Sequence, residues 1–170
     1  MSRADLDLGP CQVNYGTAGA EVDLGRTEGG VRVAFATDVT DLMSDQWGTQ
    51  PEDGVITGQG ARITAPLAEY TLANLAIALN QDLVGDELIE GGRLVGTKLR
   101  SLADSLLLKK YVDGEVSQDD TDYMRFPVAT PVGSPEILFD KNTQRIIEVE
   151  FIAFPDSDDI LYFIGDEATS

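Results

Sequence analysis

The chain has 170 residues, with 30 acidic and 12 basic side chains for a formal net charge of −18, 42% hydrophobic and 7% aromatic residues, one cysteine and no histidine. This length and apolar content suit one domain, residues 1–170, with its own core, and exclude a disordered composition. The charge argues against groove-reading DNA binding, which needs a positive field, while the lone Cys11 excludes an intramolecular disulfide and the missing histidine removes the commonest general base, metal ligand and pH switch.

No run of about 18 apolar residues predicts a transmembrane helix, and the opening MSRADLDLGP lacks the apolar centre of a signal peptide. Gly9-Pro10 punctuates the start of structure. Val13 and Tyr15 alternate with Gln12 and Asn14, and Val22 and Leu24 follow a Gly16-Thr17-Ala18-Gly19 turn. The pair predicts a hairpin. After Gly29-Gly30, Val31, Val33 and Phe35 alternate with Arg32, Ala34 and Ala36, a strand with one wet face and a kink near Asp38.

From 43 to 57 the period weakens among Gly48, Pro51 and Gly54, which predicts a long loop, with a brief strand at Val55-Ile56-Thr57. Period two resumes through Ala61, Ile63 and Ala65. Leu72, Leu75, Ala76 and Leu79 then recur at helical spacing and predict a helix over 67–80, with Pro66 in its first turn and Glu69 where a negative charge is favoured. Residues 82–96 are acidic and glycine-rich and read as a connector or a short strand. Leu106-Leu107-Leu108 over 102–111 read as a strand crossing the core, with a helix as the close alternative, and Phe126 and Val128 predict a strand over 123–132. Ile147, Val149 and Phe151 alternate with Glu148 and Glu150, so the glutamates take an exposed or channel-exposed face. A polar turn at 155–159 then joins this strand to Leu161–164 in an expected terminal hairpin.

The sum predicts a mainly β fold: antiparallel sheets forming a β-sandwich or rolled, barrel-like structure, with one flanking α-helix.

Chemistry is sparse. Ser105 and Lys109 lack a supporting pattern, Cys11 lies at a strand start with no candidate base in the chain, and Gly25, Gly29 and Gly30 do not precede a phosphate-binding Lys-Ser/Thr pair. No catalytic residue, cofactor or metal site is therefore expected, and the chain is not expected to be an enzyme. The acidic segments 113–122 and 156–159 read as solvated turns, though their oxygens would suit calcium. Lys109 and Lys110 read as a solvated strand end. Trp47, alone in a polar segment, is either folded onto its own core or buried against a partner, with Leu42 and Met43 beside it.

The order of features over 8–79 resembles the major tail tube proteins of tailed bacteriophages. Those features are a Leu8-Gly9-Pro10 opening, Leu24-Gly25, the Gly29-Gly30-Val31 strand, Asp45-Gln46-Trp47-Gly48 followed by Pro51, a glycine-rich segment, an alternating strand, and Leu67-Ala68-Glu69 with Leu75 downstream. The resemblance spans somewhat under half of the chain. It implies a tail-tube-like fold in a structural virion protein made in the host cytoplasm. Six copies would form a ring, and stacked rings a hollow tube through which DNA passes. A reaching loop would contact a neighbouring subunit through Leu42, Met43, Asp45, Gln46, Trp47 and Pro51. Glu148, Glu150, Arg32 and Arg62 would face the lumen, with the arginines paired to neighbours and the acidic wall repelling phosphates. The implied partners are further copies of itself, tail terminator, baseplate or tail-tip and tape measure proteins, and a sheath protein if the tail is contractile. Contractile and non-contractile tails both fit. A terminator, baseplate or other virion protein of the same fold is the alternative. An ordinary binding module would instead be a monomer with Trp47 at the rim of a pocket.

Overall fold

The structure, a computed structural model, describes residues 9–46, 48–132 and 134–167. The chain forms β1 (Cys11–Gly16), β2 (Val22–Asp23), β3 (Arg32–Met43), β4 (Pro51–Leu67), α1 (Leu72–Leu79), β5 (Leu83–Val84), β6 (Leu88–Ile89), β7 (Asp104–Val112), β8 (Glu115–Val116), β9 (Tyr123–Pro131), β10 (Ile147–Phe154) and β11 (Phe163–Ile164). The main sheet has the strand order β2-β1-β7-β9-β10-β4-β3, all antiparallel, with β11 added to β9 and β8 to β7. A separate small hairpin pairs β5 with β6.

This architecture corrects the expectation of a sandwich or rolled barrel. The fold is a mixed α/β one, with a single α-helix among the described residues, two short 3-10 turns and open sheets. The path ends at β2 and β3, which are not hydrogen-bonded to each other. Closing a barrel needs a continuous ladder between the end strands. Here β2 supplies two residues against a β3 of twelve, so among the described residues the outer edge of β3 has no matching strand.

One face of the sheet is the core. Val13 and Tyr15 of β1, Leu106 and Leu108 of β7, Phe126 and Ala129 of β9, Ile147, Val149 and Phe151 of β10, and Ala61, Ile63, Ala65 and Leu67 of β4 make one buried apolar cluster. Period two produces it on β1, β4, β7 and β10, where each of these residues is separated from the next by one that points to the other face; on β9 a register shift against β7 lets Phe126 and Ala129 share the face although two residues lie between them. The rings of Tyr15 and Phe151 meet at 5.0 Å between centroids. The Tyr15 hydroxyl donates to the Ala129 carbonyl oxygen at 3.1 Å, so its polar end is satisfied inside the core.

The helix begins later than its periodicity predicts. Leu67 belongs to β4, because residues 26–28 pair beside it: Glu28 N–H donates to Pro66 O at 3.0 Å and Ala68 N–H to Arg26 O at 2.8 Å. Pro66 and Glu69 therefore lie ahead of the helix and not in its first turn. Thr71 is the N-cap, its hydroxyl accepting from Asn74 N–H at 3.1 Å, and Asn80 ends the helix in the left-handed conformation at φ 53°. Asn74 is buried and its amide donates to Leu24 O and Glu69 O, which ties α1 to the segment after β2.

The segment expected as a loop over 43–57 is strand at both ends. β3 and β4 pair from Arg32↔Thr64 to Met43↔Pro51, with register shifts at Asp38/Val39 and Leu42/Met43. The kink read near Asp38 is the first of these. Pro51 starts β4, a position where its missing N–H costs no ladder bond. Thr, Val and Ile at 37, 39, 40, 55, 56 and 57 favour extended backbone enough to outweigh the polar and glycine content that suggested a loop.

The expected terminal hairpin is also corrected. β11 pairs with β9, not β10, because both edges of β10 are already taken by β9 and β4. The intervening turn is closed by the Asp156 carboxylate, which accepts from Asp158 N–H at 2.8 Å and Ile160 N–H at 2.9 Å.

Candidate assembly surface

Two features on the sheet collect the residues singled out in the sequence. The first is the face opposite the core. Glu150 is registered with Thr64, and Thr64 with Arg32; Glu148 is registered with Pro66, and Arg62 with Ile152 and Ala34. Residues in register point to the same side, so Arg32, Arg62, Glu148 and Glu150 share one face, with Val33, Ile63, Val149 and Phe151 behind them in the core.

Arg62, expected to pair with neighbours, has a partner on the adjacent strand of its own chain. Arg62 Nη1 donates to Glu150 Oε1 of its own chain at 2.6 Å, a diagonal cross-strand pair with both side chains well exposed. Such a pair is worth at most about 1 kcal/mol. Arg32 lines a cleft of about 730 Å³ together with Glu28, Glu136, Glu148 and Glu150. Four carboxylates surround one guanidinium there, so the local field is negative. The far wall of the cleft comes from Val132, Ser134, Pro135 and Leu138, in the irregular segment before β10.

The second feature is the distal part of the β3–β4 hairpin, an arm that leaves the sheet. From 51 to 57 on β4 and from 34 to 43 on β3 every residue is exposed. Large apolar side chains are among them: Val39 at 55%, Leu42 at 48%, Met43 at 57%, Val55 at 48% and Ile56 at 61% of full exposure. Val39 is registered with Ile56, and Thr40 with Val55, so both faces of the arm carry apolar groups. At its tip Asp45 and Gln46 lie in an exposed turn, and Pro51 is exposed opposite Met43. Trp47 lies outside the described residues.

Sequence reasoning missed Val39, Val55 and Ile56. The signal was present: adjacent Val55-Ile56 in a period-two strand puts an apolar residue on each face, which a strand with one wet side does not need. It also missed Leu94 and Val95, which are almost fully exposed between Gly92 and Gly96.

Burial pushes the Cys11 thiol up to about 11, partly offset by a backbone hydrogen bond, so it is a poor nucleophile near neutrality. Burial, and then the charge of Asp104, raise the Tyr15 phenol above its ordinary value. Hydrogen bonds from the Thr121 hydroxyl and N–H hold Asp119 below its ordinary value; this is the local order of a turn and not a catalytic pairing. Among the described residues no group of three or more His, Cys, Asp and Glu is placed to hold a metal ion, and no helix is long and apolar enough to cross a membrane.

Comparison with protein-family models finds none that matches this chain, and comparison with curated proteins finds no match.

Proposed function

We propose that this chain is a structural subunit of a hollow bacteriophage tail tube, built from rings of six copies stacked along an axis, through which DNA passes. One observation supports the reading above the others: the β3–β4 hairpin extends beyond the sheet as an arm with apolar groups exposed on both sides. A two-stranded ribbon is marginally stable alone in water, and exposed apolar surface of this kind marks a contact with another macromolecule. The arm occupies the part of the chain to which the resemblance assigns the reaching segment.

The opposite feature is consistent with a conduit. On the face bearing Glu148 and Glu150, Arg62 is neutralised within the chain and Arg32 sits among carboxylates. A wall of that kind does not hold phosphate by charge. The role is passive, with neither turnover nor cofactor. Its partners are other copies of this chain, proteins that terminate and initiate the tube, a tape measure protein inside it, and a sheath where the tail contracts. Its place is the virion.

Negative-stain electron microscopy of the purified protein over a range of concentrations tests this. Hollow tubes of stacked rings are expected. Closed rings that never stack would move the assignment to a terminator, and a monomer at every concentration and time would remove the assembly role.

A further inference from the structure

The arm leaves the sheet at a definite point. β4 is laddered to β10 as far as Ala61↔Ala153. From Gly60 down to Pro51 its strand neighbour among the described residues is β3 alone, and Phe35 of β3 is registered with Ala61. β10 itself ends at Phe154, where it has paired with β9 as far as Val128. β11 then takes up the same edge of β9, through Phe163↔Arg125 and Ile164↔Met124, since β7 holds the other edge. The chain between β10 and β11 is the turn closed by the Asp156 carboxylate, and Asp156 N–H donates to Ile160 O at 2.9 Å.

Residues 161–167 touch both the sheet and the root of the arm. The Tyr162 ring lies 4.8 Å between centroids from Phe35 of β3 and 6.3 Å from Phe126 of β9. One side chain therefore links arm and sheet at the point where the β4–β10 ladder stops. Ile164 is one wall of an apolar slot of about 510 Å³, whose other walls include Val31 and Val33, leading into Phe35, and Cys11, Leu108 and Met124. Leu161 packs on the core cluster. Further on, Gly165 N–H donates to Tyr123 O at 2.9 Å, and Glu167 pairs with Arg125, which also lies 3.7 Å from the buried Glu21 carboxylate.

We propose that residues 161–167 are a clasp that fixes the direction in which the arm leaves the sheet, and that this clasp opens and closes while the sheet stays folded. Its attachment is slight: two ladder pairs, a backbone bond at Gly165 and an ion pair, with Tyr162 at 40% and Ile164 at 59% of full exposure. Segments with so little buried contact open at a lower cost than global unfolding. The Asp156 turn is closed by its own hydrogen bonds and serves as the hinge. With the clasp shut, Phe35 packs on Tyr162. With it open, the arm is held by its own ladder, and a two-stranded ribbon is weakly held by itself. The clasp belongs to the single chain and stands apart from the tube reading.

Hydrogen exchange and spin-label distances on the full chain test this. Tyr162→Ala removes the ring contacts, and Glu167→Gln weakens the far end while leaving the rings in place. In Tyr162→Ala, exchange at 161–167 is expected to be about tenfold faster, from the loss of two ring contacts, with β1, β7 and β10 unchanged. For the arm, nitroxides at Val22→Cys and Thr40→Cys in a Cys11→Ser background, diluted with unlabelled chain, are expected to give one narrow distance distribution. Tyr162→Ala is expected to broaden it about twofold, and Glu167→Gln to broaden it less. Faster exchange at 161–167 with an unchanged distribution would mean that the segment opens without holding the arm, and would overturn the proposal. Exchange at 161–167 that matches β10 in every variant would make the segment part of the cooperative core, and would overturn it as well. Should Tyr162→Ala lose protection in every strand, Glu167→Gln decides by the same two readings.

Discussion

Cys11 and Gly25 show how single residues answer to their surroundings. The Cys11 thiol is raised from 9.0 to about 11 by burial. In the monomer its alkylation rate is expected to climb about tenfold per pH unit through pH 9 and on towards 11, where an ordinary thiol would already have levelled off. Iodoacetamide labelling followed by mass spectrometry across pH 7–11 measures this, and a plateau near pH 9 would contradict it. The sign for stability is the same. A group whose folded value lies above its unfolded value favours the folded state in full below the unfolded value, and that contribution is lost as pH rises, here from 9 through about 11. Tyr15, raised in the same direction from 10.0 by burial and Asp104, adds to the loss above pH 10. Gly25 has φ +88°, and a Cβ there would run into the Glu69 carboxylate, which accepts from Arg26 N–H at 3.2 Å. Gly25→Ala is expected to destabilise by about 1–3 kcal/mol from backbone strain and crowding, read by urea unfolding. Adding Glu69→Ala should recover the crowding part and leave the strain.

Among the elements, α1 and the arm are held in opposite ways. The helix has eight residues, too few to be stable alone. It persists because Thr71 caps it and because Asn74, Ala76 and Ala78 are buried. Thr71→Ala is expected to cost about 1 kcal/mol in chemical unfolding, and Thr71→Ser to cost much less, because serine keeps the oxygen that accepts from Asn74 N–H. An equal loss in both variants would show that the cap is not the cause. The arm, by contrast, is held by its backbone ladder with little packing from elsewhere in the chain. Gly54 and Gly58 permit that ladder to be tight, since a Cβ at either would press on Val39 or on Asp38 across the strand pair.

For the whole molecule, the division between a packed sheet and an unpacked arm separates stability from assembly. Leu42→Asp alters a side chain that is half exposed on the arm. It is expected to shift unfolding by no more than about 0.5 kcal/mol, as surface substitutions do, and to abolish stacked tubes in micrographs of the full chain. Tubes that persist with normal length would place the contact elsewhere. The open sheet has the same consequence at its edges. Among the described residues no strand lies beside the outer edge of β3, and open edges of that length are ready to pair with another chain.

Much of this was written in local pattern. Alternation at 61–65 and at 147–153 was enough to put Ile63, Val149 and Phe151 inside and Arg62, Glu148 and Glu150 outside, because a strand's side chains reverse at each residue whatever it pairs with. The kink at Asp38 and the polar turn at Asp156 were legible for the same reason, being set by residues close in sequence. Pairing between distant segments was not. Nothing within 66–69 announces that 26–28 will lie alongside and hold Leu67 in β4, nor does the sequence of β11 say that both edges of β10 are occupied. The slot was equally hidden, since Cys11, Val33, Leu108, Met124 and Ile164 come from five strands that only the finished sheet brings together. Side-chain period is a property of the backbone's own geometry, so the sequence determined which face each residue takes. Strand order and the open ends of the sheet depend on which long-range ladders form, and only the tertiary structure decided those.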